Sequence, residues 1–345
     1  MKKDRARKAR TAGTTDTVMG KSISAPLEKE GMIVKGVGGL YTVRCDDGET
    51  VVCPARGLFR FENVTPLVGD RVLLRCEGGE ESADRETPYS VESILPRKNS
   101  LIRPAIANLT HLFIVVPSAK PKPDLLTVDK MTAIAESCGI EPVIIVNKTD
   151  IDPEESRRIE GIYSGAGFAC MALSAESGEG CGVLSDYFRE KSTEGVMISA
   201  MAGASAAGKS TLLKRLFPEL KLKTGEVSRK TERGRHTTRH VELFDVYEGS
   251  SCYIADTPGF SLLDFARFNF LELSELASDF REFRDCLGKC RYTKCTHTKE
   301  EGCAVLEKLR NGGISPDRHE SYVALYAEIK SKPEWKRRKE MSQKA

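Results

Sequence analysis

The run Gly203-Ala204-Ser205-Ala206-Ala207-Gly208-Lys209-Ser210 fits the pattern G-x-x-x-x-G-K-[ST]. It follows the apolar segment Val196–Ser199 directly and precedes a helical pattern directly, the order that a phosphate cradle needs. Two glycines let the backbone wrap an anion, while loop N–H groups and the first helical turn supply donors and a positive dipole end. Lys209 can reach the β- and γ-phosphates of a nucleotide and help to stabilise charge there, the Ser210 hydroxyl can ligate Mg²⁺, and Thr211 continues the cradle.

A phosphate cradle does not name the base. Asn147, Lys148, Thr149 and Asp150 do so, at the end of the apolar run Val143–Val146. The Asp150 carboxylate can accept from both N1–H and the 2-amino group of guanine. Adenine has no such donor pair, and leaving a carboxylate unpaired in a site is costly. Asn147 would tie this loop to the phosphate loop, and the Lys148 stem would lie along the base. Ser174 and Ala175, after the strand pattern Phe168–Leu173, stand where a backbone amide can meet guanine O6.

Asp256, Thr257, Pro258 and Gly259 end the strand pattern Cys252–Ala255. There a carboxylate can hold Mg²⁺ through water, and the Gly259 N–H can meet a γ-phosphate. The intervening segment Gly225–His240 is polar, basic and poor in apolar anchors. It contains Thr237 and Thr238, and Thr238 is the residue expected to complete Mg²⁺ coordination while a γ-phosphate is present. An ordinary mobile loop is the competing reading. A separate cluster, Cys290-x4-Cys295-x-His297-x5-Cys303, offers three thiolates and an imidazole. Such a set suits one closed tetrahedral Zn²⁺ with no open position for catalysis; a chance cluster of reduced thiols is the alternative. Cys286 is read as a packed extra thiol, and His319 as a weaker substitute ligand.

These residues need elements to position them. A chain of 345 residues suggests two or three domains. With 40% hydrophobic and 30% charged residues it can build real cores, which excludes global disorder, a collagen-like chain and a disulfide miniprotein. No apolar run approaches the ~20 residues of a membrane span, and the basic N-terminal stretch lacks the apolar segment of a secretory signal. The net charge of +3 hides basic ends: six cations lie in residues 2–10 and seven in residues 330–344. Such tails either contact nucleic acid or are solvated ends. Eleven cysteines, an odd number, argue against a complete disulfide set.

From residue 31 to about 96, short β patterns (Met32–Val37, Leu40–Cys45, Thr50–Pro54, Asp70–Cys76, Tyr89–Leu95) suit a small barrel such as an OB-fold. It is either a nucleic-acid platform or a structural module; Tyr41, Phe59 and Phe61 could stack on bases or fill its core. After a linker over Arg97–Pro104, apolar strands alternate with helical stretches, the pattern of a mostly parallel sheet covered on both faces. From Leu271 onward the text is helical and charged, interrupted by the cysteine knot.

The order is unusual, because the guanine and Ser-Ala elements precede the phosphate loop, the threonine segment and Asp256–Gly259. That order, with Arg97–Pro104, Asn147–Asp150, Gly234–Thr238, a barrel before and a Cys/His knot behind, resembles the RsgA (YjeQ/YloQ) family of small ribosomal subunit biogenesis GTPases. The resemblance implies an α/β, circularly permuted P-loop GTPase domain (98–270) between an N-terminal OB-fold β-barrel (31–97) and a C-terminal helical zinc-binding domain (271–329). A basic arm (1–30) and a basic tail (330–345) flank them. It implies GTP and GDP as ligands, Mg²⁺ and one Zn²⁺ as cofactors, and Mg²⁺-dependent hydrolysis of GTP stimulated by the small (30S) subunit. The chain would act as a late maturation checkpoint that touches 16S-type rRNA, as a cytoplasmic monomer without membrane contact. Where small signalling GTPases carry a water-positioning glutamine, this chain has Phe260, so slow unaided hydrolysis is expected. By the same resemblance, His236 is the first candidate to orient water, with an exposed switch residue as the alternative. Ala206 and Ala207 depart from a common family pattern, which leaves a monovalent-cation ligand unassigned. Two other functions compete: an RNA-binding module whose nucleotide fold is structural, and a signalling GTPase with a protein partner.

Overall fold

The computed structural model describes residues 28–57, 59, 64–76, 88–102, 104–220, 241–247, 249–256 and 271–331. Five antiparallel strands come first: β1 (Glu28–Val37), β2 (Leu40–Cys45), β3 (Thr50–Pro54), β4 (Arg71–Cys76) and β5 (Tyr89–Ile94). Alternate residues point inward, so Ile33, Val43, Val51, Cys53, Val72, Leu74 and Val91 are buried together. β1 starts earlier than its apolar run because it serves two partners. Residues 28–32 pair with β4 and residues 31–37 with β2, and at the overlap a Cβ on Gly31 would fall 2.6 Å from the Arg44 carbonyl oxygen. Phe59 is buried and belongs to this core, Tyr41 is half-buried against it, and Phe61 lies outside the described residues.

The stretch read as a linker is an ordered hairpin, β6 (Ser100–Ile102) and β7 (Ala105–Ala107), locked onto the barrel. The Arg97 guanidinium makes two 2.7 Å bonds to the fully buried Asp70 carboxylate. Asn108 donates to the Gly69 carbonyl at 3.0 Å. Gly69, at φ 91°, leaves no room for a side chain, since a Cβ would lie 2.1 Å from the Ala107 carbonyl oxygen. Polar side chains make these contacts, which is why the text resembles a connector.

An α/β layer follows: β8 (His111–Pro117), α1 (Leu125–Ser137), β9 (Glu141–Asn147), α2 (Pro153–Gly165), β10 (Ala169–Leu173), α3 (Cys181–Glu194), β11 (Met197–Gly203), α4 (Lys209–Leu216), β12 (Glu242–Asp245) and β13 (Cys252–Asp256). The order β10-β9-β8-β11-β13 is parallel, and β12 closes the run antiparallel to β13. Period-two alternation splits the burial. Leu112, Ile114, Val116, Ile144 and Val146 share a core with Met131, Ile134 and Tyr163 of α1 and α2, whereas Phe113, Val115, Val143 and Ile145 join Leu184, Phe188 and Leu212 of α3 and α4. Asp124 and Asp152 cap α1 and α2 by accepting from Thr127 N–H and Glu155 N–H, and Pro153 opens α2.

β12 was not expected from its composition, because its outer residues carry charge. It joins β1 antiparallel, with Lys35 opposite Glu242, so barrel and α/β layer share one sheet. Lys35 and Glu242 pair at 2.8 Å, and Arg44 of β2 pairs with Asp245.

The last part has a 3-10 turn at Arg281–Cys286 and the helices α5 (Ala304–Arg310) and α6 (Pro316–Ser331). It seats on α1 and α2 through a fully buried cation. Arg318 bonds Glu282 at 2.7 and 3.0 Å, Asp129 at 2.7 Å and the Thr132 hydroxyl at 3.0 Å, while Tyr163 O–H donates to Asp129 at 2.9 Å. Its guanidinium also lies 4.7 Å from the Phe280 ring centroid. At the rim, Arg281 reaches Glu136, Glu141 and the Gly167 carbonyl.

Candidate nucleotide site and metal centre

The C-terminal ends of parallel strands are where an open α/β sheet binds ligands. Asn147 ends β9, Leu173 leads from β10 into Ser174 and Ala175, Gly203 ends β11 and Asp256 ends β13. Elements separated in sequence therefore meet along one edge.

In the phosphate loop, Gly203 has φ 150° and a Cβ there would lie 2.4 Å from the Val115 carbonyl oxygen; at Gly208 (φ 98°) it would lie 2.1 Å from Asn147 Nδ2. Both glycines are thus required by close approach as well as by backbone angle. Lys209 opens α4, and its Nζ donates to the Gly203 and Ala204 carbonyls at 2.7 and 2.9 Å. Burial pushes the Lys209 ammonium below its ordinary value, so an anion placed beside it would be favoured. Ser205, Ser210 and Thr211 are exposed at the mouth, and Ala207 is buried beneath it. Ala206 sits at φ 62°, where an L-residue is strained by about 1–2 kcal/mol. Ala206→Gly relieves that strain and adds about 0.4–1 kcal/mol of unfolded-state entropy. A net gain of roughly 0.5–1 kcal/mol is expected, read as a higher denaturant midpoint at unchanged slope.

Asn147 is the buried hub of the edge. Its Nδ2 donates to the Ala207 carbonyl at 2.8 Å, and its Oδ1 accepts from Ala175 N–H at 2.9 Å and Lys148 N–H at 2.8 Å. One amide side chain thus fixes the phosphate loop, the Ser-Ala element and its own loop. Ser118, beyond β8, adds a strut by donating its hydroxyl to the Lys148 carbonyl at 2.9 Å. Lys148 takes φ 71° and its Nζ reaches the Lys120 carbonyl. Thr149 is half-buried, and the Asp150 side chain is exposed where a base edge can meet it. Ser174 closes its turn by accepting from Ser177 N–H at 3.1 Å.

His236, Thr237, Thr238, Pro258, Gly259 and Phe260 lie outside the described residues, as does the Asp256 side chain, whose backbone ends β13. Of the expected Mg²⁺ ligands, Ser210 is the one whose side chain is described, and it is exposed in the first turn of α4.

The four residues of the cysteine knot converge. The donor atoms of Cys290, Cys295, His297 and Cys303 all lie within 4.8 Å of one another. His297 Nδ1 is 3.5 Å from the sulfurs of Cys290 and Cys303, and those sulfurs are 3.9 Å apart. A tetrahedral Zn²⁺ with bonds of about 2.3 Å to sulfur and about 2.0–2.1 Å to nitrogen separates its ligands by about 3.5–3.8 Å, so the set fits. The surroundings would support such an ion. Ala304 N–H points at Cys290 Sγ (3.4 Å), and Glu300 gathers the N–H groups of Thr296, Thr298 and Lys299. Against the upward push of burial, the Thr296 hydroxyl and backbone N–H donors hold its carboxyl down at about 2. His319, weighed above as a ligand, instead donates Nε2–H to the His297 carbonyl at 2.8 Å and orients the ligand residue. Cys286 is buried outside the cluster.

Sequence reasoning missed Arg215 on α4, which donates to the Ala175 and Glu176 carbonyls, and the Arg318 network. Both are ordinary charged residues of helical text, and only the tertiary placement distinguishes them.

Comparison with known proteins agrees with this geometry. The RsgA GTPase family model matches residues 94–266, and the RsgA N-terminal domain model matches residues 30–83. A small ribosomal subunit biogenesis GTPase RsgA from Ruminiclostridium cellulolyticum is 36% identical over 91% of this chain and 98% of its own length. The protein of that name from Carboxydothermus hydrogenoformans is 41% identical over 88% and 98%. Among solved structures, YjeQ from Thermotoga maritima superposes with TM-score 0.73 at 33% identity, covering 89% of this chain and all of that one. YloQ, described as a circularly permuted GTPase, superposes with TM-score 0.70 at 28% identity, covering 89% of this chain and 97% of its own. With its motifs in permuted order on this sheet, the chain belongs to the RsgA family of GTPases.

Proposed function

We propose that this protein hydrolyses GTP in an Mg²⁺-dependent reaction stimulated by the small (30S) ribosomal subunit, as a late maturation checkpoint in the cytoplasm. The observation that carries the reading is the Asn147 hub, which fastens a guanine-reading loop to a phosphate loop. Lys209 meets the β- and γ-phosphates, the amides from Gly203 to Ser210 cradle them, and Asp150 reads the guanine edge. Mg²⁺, held by Ser210, Thr238 and Asp256, would neutralise charge on the same phosphates. Hydrolysis is in-line attack of water on the γ-phosphate. With Phe260 after Gly259, the attacking water needs another positioning group, and His236 is assigned that role.

The reading of rRNA as the partner surface rests on the barrel, the basic tails and the metal knot. Residues 286–299 contain no acid, and Lys289, Arg291, Lys294 and Lys299 are all exposed. Tyr292, 49% exposed with the Arg291 guanidinium 5.6 Å from its ring, offers a stacking platform between these cations. Among the described residues no helix is long and apolar enough to cross a membrane.

The test is GTP turnover by the full chain, with and without purified small subunits, across a salt series. Slow unaided turnover that rises at least tenfold with subunits, with binding that weakens steeply as salt increases, is the expected result. Absence of stimulation at every salt concentration would leave an RNA-binding module with a structural nucleotide fold. In the same assay His236→Ala should lose the stimulated rate while keeping GTP affinity; an unchanged stimulated rate removes His236 from the role.

A further inference from the structure

Asn147 braces the nucleotide edge from the base side, and a second strut runs the other way. Arg215 lies on α4, the helix that begins in the phosphate loop at Lys209. Its Nε donates to the Ala175 carbonyl at 2.7 Å and its Nη2 to the Glu176 carbonyl at 2.5 Å. The guanidinium covers the outside of the turn that follows β10. Gly178, at φ 92°, gives it space, since a Cβ there would lie 2.8 Å from Arg215 Nη1.

Peptide planarity turns this into control over donors. In a trans peptide the C=O of one residue and the N–H of the next point in opposite directions. Holding the Ala175 carbonyl on the guanidinium therefore fixes the Glu176 N–H on the side away from it. The Ala175 N–H faces Asn147 Oδ1 at 2.9 Å, so that peptide is also fixed. The Ala175 N–H is therefore taken by Asn147, and the donor left to meet guanine O6 is the Glu176 N–H, whose peptide is held by Arg215 through the Ala175 carbonyl. The guanidinium does this with a planar, two-point grip that an ammonium cannot reproduce.

We propose that Arg215 is a positioning residue for guanine selectivity: through the Ala175 carbonyl it aims the Glu176 N–H that reads O6, with its bond to the Glu176 carbonyl steadying the same turn, and so ties base recognition to the phosphate-loop helix. The assignment rests on the guanine-nucleotide reading above. Because the strut acts on O6 alone, its loss separates the two edges of the base. Recognition of N1–H and the 2-amino group by Asp150 is independent of it.

The test measures equilibrium affinities of the full chain for GDP, 6-thio-GDP (altered at O6), IDP (lacking the 2-amino group) and inorganic tripolyphosphate. For Arg215→Met, GDP should bind about tenfold more weakly, with the preference for GDP over 6-thio-GDP falling toward one. The preference for GDP over IDP and the tripolyphosphate affinity should stay at wild-type values. Arg215→Lys, which can keep one of the two bonds, should fall between. An unchanged GDP to 6-thio-GDP ratio in Arg215→Met overturns the proposal. So does an equal loss for all four ligands, since that is the signature of a general packing defect. Wild-type protein that fails to prefer GDP over IDP would remove the guanine reading itself, a result separable from either of these.

Discussion

If the knot holds Zn²⁺, as its donor set fits, stripping the metal is expected to unfold the segment from Leu287 to Cys303 and to release α5, which begins directly after Cys303. The segment has almost no regular structure of its own, and its order rests on four donors within 4.8 Å and on backbone bonds to Glu300 and Cys290. Structural Zn²⁺ supplies about 10–16 kcal/mol in small peptides, comparable to the whole stability of about 5–15 kcal/mol of a domain. A chelator titration followed by thermal melting and hydrogen exchange should show a new low-temperature transition. Amides around Val305 and Tyr322 should lose protection, while nucleotide affinity persists. A single unshifted melt in chelator would show that the thiols pack without metal.

Arg318→Ala is the second large effect. It leaves Asp129 and Glu282 buried without their cation, for an expected loss of about 3–5 kcal/mol. The loss should depend on pH with a defined sign. Burial already raises the Asp129 carboxyl above its ordinary value in the intact protein, against the pull of Arg318. Without that cation it rises further, so the folded variant holds more protons than the unfolded chain. Stability of the variant then increases as pH falls. The deficit relative to wild type should therefore shrink from pH 7 toward pH 5, as measured by denaturant midpoints across that range. A constant deficit would mean that lost packing against Phe280, rather than charge, carries the effect.

The parts of this fold that could be read in the sequence share a cause. β2 and β3 follow short-range patterns of apolar residues and turns, and their ends match expectation. The loops after β9 and β11 could be picked out because their residue types stand at fixed spacing, and the structure brings them together at Asn147; that they take a guanine nucleotide is the proposal above. What was not legible depends on distant partners. β12 is a strand because Lys35 and Arg44 neutralise Glu242 and Asp245, and nothing within four residues announces that. The β6–β7 hairpin is held by Arg97, Asn99 and Asn108, residues that equally suit a connector. Arg318 reads as surface charge in α6 until Asp129 and Glu282 arrive from two other segments. The departure at Ala206 was visible, but its left-handed backbone was not.

The continuous sheet has a consequence for the timing of synthesis. Lys35 meets Glu242 across 207 residues, and β11 gains its neighbour β13 only after Cys252–Asp256 exists. The β8-β9-β10 half, with the Asn147 loop and the Ser174–Gly178 turn proposed to read the base, is contiguous and can assemble before β11 has emerged. Chains emerge N-terminus first, and contacts this far apart in sequence form late. An unfinished chain would therefore carry the proposed base loops without the phosphate loop. On the function proposed above, capture of nucleotide would wait until β13 has been made, so a chain that holds GTP would be one whose barrel, sheet and phosphate loop have already closed on one another.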